Sequence, residues 1–360
     1  MICHLPILLL LTGPAPPAAW QTAVEPRAFS FPRDHAAHVD YRVEWWYYTG
    51  NVQADDGRRF GYELTFFRTG VVPEPKIPSR WAVRDLYVAH FAISELAAGQ
   101  FRFFQRVKRS GVGWAGASGD RYRAWNGDWD VHLQGDDHLL TAREEGCELR
   151  LRLKPRKPPV LHGVGGLSQK GPSRGNASHY YSLTHLDTSG TLALPGRSSS
   201  VTGLSWMDHE FSSSFLEKGQ VGWDWFSIQL DDRRELMIYQ IRRDDGRIDP
   251  FSSGTIIAAD GSTQSIRRDE FTLTPGKPWK SPQTGAEYPL QWRLRLPARR
   301  LDLTIEAALA GQELDTRGSV GFPYWEGSIT VGGTWNAEPI RGRGYLEMTG
   351  YSPQNLPARP

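Results

Sequence analysis

Cysteine and methionine are scarce in this 360-residue chain, at 2 and 4 residues. Two cysteines cannot staple a small scaffold. Cys3 also precedes a segment that reads as removable, which leaves Cys147 without an intrachain partner. Charge of one sign is missing as well, since 42 basic against 40 acidic residues give a formal net charge of +2. Such a balance leaves no electrostatic footprint for nucleic acid, so no nucleic-acid partner is expected. No stretch approaches the ~20 apolar residues of a spanning helix, so any membrane association is expected to be peripheral. The phosphate-binding loop, the dinucleotide fingerprint and CxxC are all absent, and no cofactor is expected. A nucleophile elbow is lacking too: Gly203-Leu204-Ser205-Trp206-Met207 has no second glycine and no helix after it.

Aromatic residues, by contrast, make up 12% of the chain, with 14 Trp. The length suits two domains rather than one core. The start resembles an export signal over residues 1–19, with an apolar run Ile7–Leu11 followed by Gly13, Pro14 and the small residues Ala15, Ala18 and Ala19. No Lys or Arg precedes the run, so the signal is a weak one. The expected location is periplasmic or secreted.

Strict alternation recurs downstream, in Glu148-Leu149-Arg150-Leu151-Arg152-Leu153, in Gln291 to Leu296 and in Leu301 to Glu306. Period two puts one set of side chains on a core and the other in water. Asp55-Asp56-Gly57, Asn126-Gly127-Asp128, Asp244-Asp245-Gly246 and Asp260-Gly261 punctuate these runs as turns. The fold class is therefore all-β, built of antiparallel strands in sandwiches or barrels.

An internal repeat divides the chain. Trp46-Tyr47-Tyr48 leads through an acidic turn and Arg58-Arg59 to Tyr62-Glu63-Leu64. Trp225-Phe226-Ser227 leads likewise through Arg233-Arg234 to Met237-Ile238-Tyr239. Gly203-Leu204-Ser205-Trp206-Met207-Asp208 echoes Gly342-Arg343-Gly344-Tyr345-Leu346-Glu347. Repetition at this long spacing indicates duplicated domains, over 28–210 and 219–351. The Gly- and Pro-rich stretch from Pro155 to Ser178 reads as an irregular loop, either a lid over a binding site or a connection between domains.

Phe31-Pro32-Arg33-Asp34-His35-Ala36-Ala37-His38, followed by Glu44-Trp45-Trp46-Tyr47-Tyr48-Thr49-Gly50-Asn51, resembles the opening signature of the AttH-type secreted proteins. That group is often labelled "predicted secreted hydrolase" and is classed with carotenoid 1,2-hydratases (hydroxyneurosporene synthases). Leu161-His162-Gly163, Gly166 to Gly171, Gly175 to Ser178, Gly222-Trp223-Asp224-Trp225-Phe226 and Tyr324-Trp325-Glu326-Gly327 extend the likeness over residues 31 to 351. The resemblance implies two tandem lipocalin-like antiparallel β-barrels packed together, and an apolar, polyene or isoprenoid-like ligand. It implies hydratase chemistry in one branch and pericyclase chemistry in fungal relatives. No catalytic position is carried over from it.

The residues themselves point to Trp206-Met207-Asp208-His209-Glu210. On a strand, Trp206, Asp208 and Glu210 share one face, while Met207 and His209 share the other. A carboxyl group beside indole rings has a raised pKa and can protonate an alkene, leaving a cation that aromatic faces stabilise and water captures. Asp208, with Glu210 and His209, is thus the candidate catalytic set; the plainer reading is a charged strand end. Candidate ligand contacts are Trp46, Glu44, His90, Trp206, Trp223, Trp225, Tyr239 and Trp325, which would otherwise be core. Asp34, His35, His38 and Asp40 carry metal-type donors, but their spacing on an irregular segment does not converge them. A hydrogen-bonded plug is expected there and no metal. The competing functions are a non-catalytic lipid carrier, which needs no buried acid, and a hydrolase, which needs a Ser and a His within hydrogen-bond reach.

Overall fold

The computed structural model describes residues 19–214 and 216–352; Cys3 and the Ile7–Leu11 run lie outside them. Among the described residues there is no α-helix, only three single 3-10 turns.

The first sheet opens with β1 (Val43–Ala54), β2 (Arg59–Gly70), β3 (Asp85–Glu95) and β4 (Gln100–Arg109). A meander follows: β5 (Ala115–Ala117), β6 (Arg123–Asn126), β7 (Trp129–Gln134), β8 (Asp137–Glu144) and β9 (Cys147–Pro155). The short β10 (Val160–Leu161) and β11 (Leu167–Gln169) precede the long hairpin β12 (Ala177–Leu194) and β13 (Arg197–Ser212). The strand order is β4-β3-β2-β1-β13-β12-β9-β8-β7-β6-β5, with β10 and β11 attached to β12. The sheet curls until β6 lies back on β3 and β4. There Asn126 Nδ2 donates to the Tyr87 carbonyl at 3.1 Å, and Arg106 donates to the Asn126 carbonyl at 3.0 Å.

The second sheet contains β14 (Gln220–Leu230), β15 (Glu235–Arg243), β16 (Ser253–Ile257), β17 (Thr263–Arg267) and β18 (Thr272–Pro275). A separate small hairpin, β19 (Pro278–Lys280) and β20 (Glu287–Pro289), interrupts it. It resumes with β21 (Gln291–Leu296), β22 (Leu301–Ala307), β23 (Glu313–Leu314), β24 (Tyr324–Trp335) and β25 (Glu338–Met348). Its order is β17-β16-β15-β14-β25-β24-β22-β21-β18, with β23 on β24.

In both barrels the closing strand pairs with the opening one, β13 with β1 and β25 with β14. This is the physical content of the internal repeat. One detail of the repeat shifts, however. Asp208 stands opposite Tyr47 and Glu347 opposite Trp225, so Tyr47, not Trp46, is the counterpart of Trp225. A slip of one residue exchanges the two faces of a strand. Trp46 accordingly packs inside the first barrel, while Trp225 packs outside the second, against the first.

The alternating runs behave as their period dictates. In β9, Cys147, Leu149, Leu151 and Leu153 are buried while Arg150 and Arg152 face solvent. β1 and β2 do not alternate, because both of their faces are covered. Their inner face joins a core containing Trp46, Tyr48, Phe60, Leu64 and Trp129. Their outer face meets the second barrel, whose own core holds Phe226, Ile238, Trp292, Leu303 and Trp325. Both interiors are thus filled with side chains. Between them lies a third cluster, including Tyr47, Tyr180, Trp206, Trp225, Tyr239 and Tyr345.

Candidate functional site

The seam between the barrels is built mainly from β1, β2, β12 and β13 on one side and β14, β15, β24 and β25 on the other. Gly61 on β2 permits the approach: a Cβ there would lie 2.8 Å from the Tyr345 hydroxyl of β25. Asn51 Nδ2 donates to the Gly344 carbonyl at 3.1 Å, and Gln229 Nε2 donates to the carbonyls of Thr184 and Ser205 at 2.8 and 3.0 Å.

Asp208 sits in this seam, 4% exposed. Its Oδ1 accepts from the Trp206 indole at 2.7 Å and from the Ser182 hydroxyl, and its Oδ2 accepts from the Tyr180 hydroxyl at 2.7 Å. Trp225 of the second barrel donates to that same Tyr180 oxygen at 3.0 Å. The rings of Trp206 and Trp225 meet edge to face at 6.2 Å, and those of Tyr47 and Trp225 at 5.4 Å. Burial pushes the Asp208 carboxyl up to about 7, against the pull of its three donors and with a further push from Glu210. A carboxyl group so placed carries its proton for a large part of the time at neutral pH and is matched to general acid work.

Glu210, on the same face, accepts from the Ser178 hydroxyl and pairs with Lys170 at 3.4 Å. The Lys170 ammonium lies over the rings of Tyr239 at 4.4 Å and Tyr180 at 5.1 Å. Burial alone would lower its pKa, but Glu210, Tyr239 and Asp208 hold it above its ordinary value. Lys170 comes from the Gly- and Pro-rich segment, which straps the first barrel to the second. The strap's Lys157 ammonium reaches Glu235 at 2.6 Å, and His162 bonds Thr255 at 2.9 Å. The segment is thus both connection and site wall.

Three further acids complete the seam. Glu326 and Glu347 stand directly opposite each other on β24 and β25. Glu63 of β2 faces them. Burial raises all three, Glu347 to about 7, and mutual repulsion raises Glu63 and Glu326 further. Glu347 accepts from the Trp223 indole at 3.1 Å. The Tyr47 hydroxyl, Glu63 Oε2 and Glu326 Oε1 are buried together, with only one another and Tyr324 for partners among the described residues: Tyr47 with Glu326 and Tyr324 with Glu63. Polar groups buried with so few partners are costly, and their convergence marks a place where a polar group of a ligand, or water, would be held.

His90 links this cluster to the surface. Its Nδ1 is 2.7 Å from the Tyr324 hydroxyl, beside Glu63, and its Nε2 is 3.0 Å from Ser319 Oγ. Burial depresses it to about 3, so it is neutral. It does face a partner surface, but as a hydrogen-bond relay rather than an open pocket wall.

The hydrolase requirement was a Ser and a His in reach, and two such pairs exist. Ser182 is 2.7 Å from His162 Nε2, yet Asp208 accepts from the serine and the other histidine nitrogen meets Thr255, not a carboxylate. Such an order does not orient an imidazole as a base. In the Ser319–His90 pair the third member is Tyr324. The backbone N–H groups of Ser319, Val320 and Gly321 all point at the Thr316 carbonyl, so they offer no oxyanion site.

The structure brings Asp208, Glu210, Trp206, Trp223, Trp225 and Tyr239 together in the seam, with His90 at its edge. Glu44, Trp46 and His209 instead face the interior of the first barrel, and Trp325 the interior of the second. His209 is therefore separated from Asp208 by the thickness of the sheet, as the period of two requires. Oxygen and nitrogen atoms of His38, Glu44 and His209 do converge within 4.8 Å. Each is already hydrogen bonded, and the Arg68 guanidinium lies 3.1 Å from Glu44, which suits a polar plug better than a cation. Asp34 and His38 belong to that plug at 2.9 Å, whereas Asp40 is exposed. Sequence reasoning passed over Glu63, Glu326, Glu347, Tyr47, Tyr180 and Tyr345 as site residues. Each carboxylate was visible as a lone acid in an aromatic strand, as in Tyr62-Glu63-Leu64-Thr65-Phe66.

Two filled antiparallel barrels joined over a seam of protonatable acids and aromatic rings define a tandem lipocalin-like protein. The chain belongs to the AttH-like family, whose sequence profile matches residues 22–351. It is similar to the structure of a putative AttH from Nitrosomonas europaea, at 35% identity and a TM-score of 0.83, over 92% of this chain and 99% of that one. Its fold is also shared with kievitone hydratase from Nectria haematococca, at 15% identity and TM-score 0.70, over 93% and 98%. CghA is a third likeness, at 13% identity and TM-score 0.58, over 96% and 97%. Among curated proteins none matches the chain in sequence.

Proposed function

We propose that this chain is an exported, hydratase-like enzyme that adds water across a carbon–carbon double bond of an apolar, polyene or isoprenoid-like molecule. The observation that carries the reading is Asp208: a buried carboxyl titrating near neutrality, set among Trp206, Tyr180 and Trp225 at the junction of the two barrels.

In the reaction, Asp208 gives its proton to one alkene carbon, forming a C–H bond and leaving a tertiary cation on the other. Trp206 and Trp225 would present ring faces to that charge. Water then forms the C–O bond, and its surplus proton returns to the Asp208 carboxylate, which restores the acid. The converging oxygens of Tyr47, Glu63 and Glu326 would hold the attacking water or the polar end of the substrate. Access requires the Pro155–Ser178 strap to lift from the second barrel. Kievitone hydratase, which shares this fold, is by its name an enzyme of the class proposed.

The test incubates the purified chain with a panel of acyclic polyenes and isoprenoids in oxygen-18 water and reads products by mass spectrometry. The expected result is a product heavier by one labelled water. Asp208→Asn should lower its formation at least ~100-fold, the scale of a lost general acid. A ligand bound unchanged by both proteins, with no labelled product, would make the chain a carrier instead.

A further inference from the structure

Six of the seven exposed large apolar side chains among the described residues gather at one end of the first barrel. Val71, Ile77 and Trp81 lie on the 71–84 loop between β2 and β3. Leu86 and Val107 lie on the outward face of β3 and β4, and Trp114 on the following loop. Ile77, Trp81 and Trp114 are 67%, 60% and 52% exposed. The two loops form one surface. The Arg80 carbonyl packs on Gly111, and Arg109 donates to the Trp81 carbonyl while its guanidinium lies 6.0 Å from the Trp81 ring. The charge around these apolar tips is predominantly positive. Lys76, Arg80 and Arg84 stand against the single acid Glu74 within the loop, and Arg109 adds to them from β4.

We infer that this end of the first barrel docks on the surface of an anionic phospholipid bilayer. Exposed Trp and Ile beside Lys and Arg are the groups that enter the headgroup region and pair with its charge. A further aromatic residue, Trp20, packs at the root of the same loop. Trp20 lies against Gly70, and the Arg84 guanidinium sits 5.4 Å from its ring, so the described fold begins at the root of this loop. Glu74 alone is too little acid to suit a basic partner. The inference is independent of the seam chemistry, since no seam residue is part of it.

The test sediments the full chain with vesicles of phosphatidylcholine alone and of phosphatidylcholine with phosphatidylglycerol. Three variants accompany it: Ile77→Ser with Trp81→Ala, Lys76→Glu with Arg80→Glu, and Val164→Ser, the seventh exposed apolar residue, as a control far from the patch. Thermal melts of the variants, all at exposed positions, verify their folding. Binding to the anionic vesicles is expected, at least ~10-fold weaker for each of the first two variants and unchanged for the control, with the charge-dependent part falling in high salt. No binding by the wild type, or equal binding by all four proteins, overturns the inference. Loss of self-association in the double variants without any vesicle binding overturns it too, by assigning the patch to a protein contact.

Discussion

Asp208 and Glu347 hold equivalent positions in the two barrels: each lies on the closing strand, five residues beyond a glycine, and faces the opening strand at Tyr47 and Trp225 respectively. Both point into the seam, and burial holds both near 7. A duplicated barrel has thus placed two copies of one acid face to face.

That placement fixes a pH dependence. The ordinary values are 3.8 and 4.5, so between about 4 and 7 the folded chain holds more protons at these groups than the unfolded one. Their contribution to stability is full below about pH 4 and is lost as pH rises through 7. His90 and His162, both depressed to about 3, act oppositely below about pH 6.5, so the difference between variants is the clean quantity. Asp208→Asn and Glu347→Gln should gain Tm relative to wild type as pH rises from about 5 to 9. Thermal melts across that range check it, and parallel curves would refute it.

Gly61 sets the distance between the barrels. Gly61→Ala places a methyl group against the Tyr345 hydroxyl and should cost about 1–3 kcal/mol. Tyr345→Phe in the same chain removes the clashing oxygen and should recover part of that loss. A double-mutant cycle by urea unfolding measures the coupling, and simple additivity would show that the two do not meet.

The strap is anchored by Lys157, whose ammonium bonds Glu235 and the carbonyls of Arg233 and Ala258. Lys157→Met leaves the Glu235 carboxylate buried without its cation and should cost about 3–5 kcal/mol. Lys157→Met with Glu235→Leu should be markedly less damaging. Denaturant melts of the single and double variants decide this.

The polar plug of the first barrel should be indifferent to metal. Burial would raise the Glu44 carboxyl, but His209, His38 and Arg68 hold it below the ordinary range. Dialysis against a chelator is expected to leave Tm unchanged, whereas Glu44→Gln removes one of the two carboxylates on Arg68, leaves it with Asp85, and should cost about 1–3 kcal/mol. A chelator-induced fall in Tm, restored by a divalent cation, would reassign His38, Glu44 and His209 as ligands.

The barrel architecture was legible in the chain because it rests on local periodicity: β9, β21 and β22 alternate strictly, and the turns carry Gly57, Gly127, Gly246 and Gly261 with positive φ. The pairing of Asp208 with Trp206 was legible for the same reason, since two residues on one strand share a face. The rest of the site was not, because it depends on which outer faces meet. Tyr47 looked like the neighbour of a core Trp46, and nothing local says that its hydroxyl faces a second barrel. Glu63 and Glu326 lie far apart in sequence and become a pair only when β2 and β24 pack. Trp46 and Trp225 looked equivalent in the repeat, and only the strand register showed them to be offset by one.

The closure of each barrel by its own last strand also sets the order of assembly. β1 leaves the ribosome, or a translocation channel, long before β13 exists to pair with it. Until then its two faces, which the finished fold covers, and one open backbone edge stand unprotected. Closure of the first barrel must therefore wait for nearly its whole length, a long-range pairing of the kind that slows folding. The seam acids can meet only after β25 has closed the second barrel, so the last strand made completes the site.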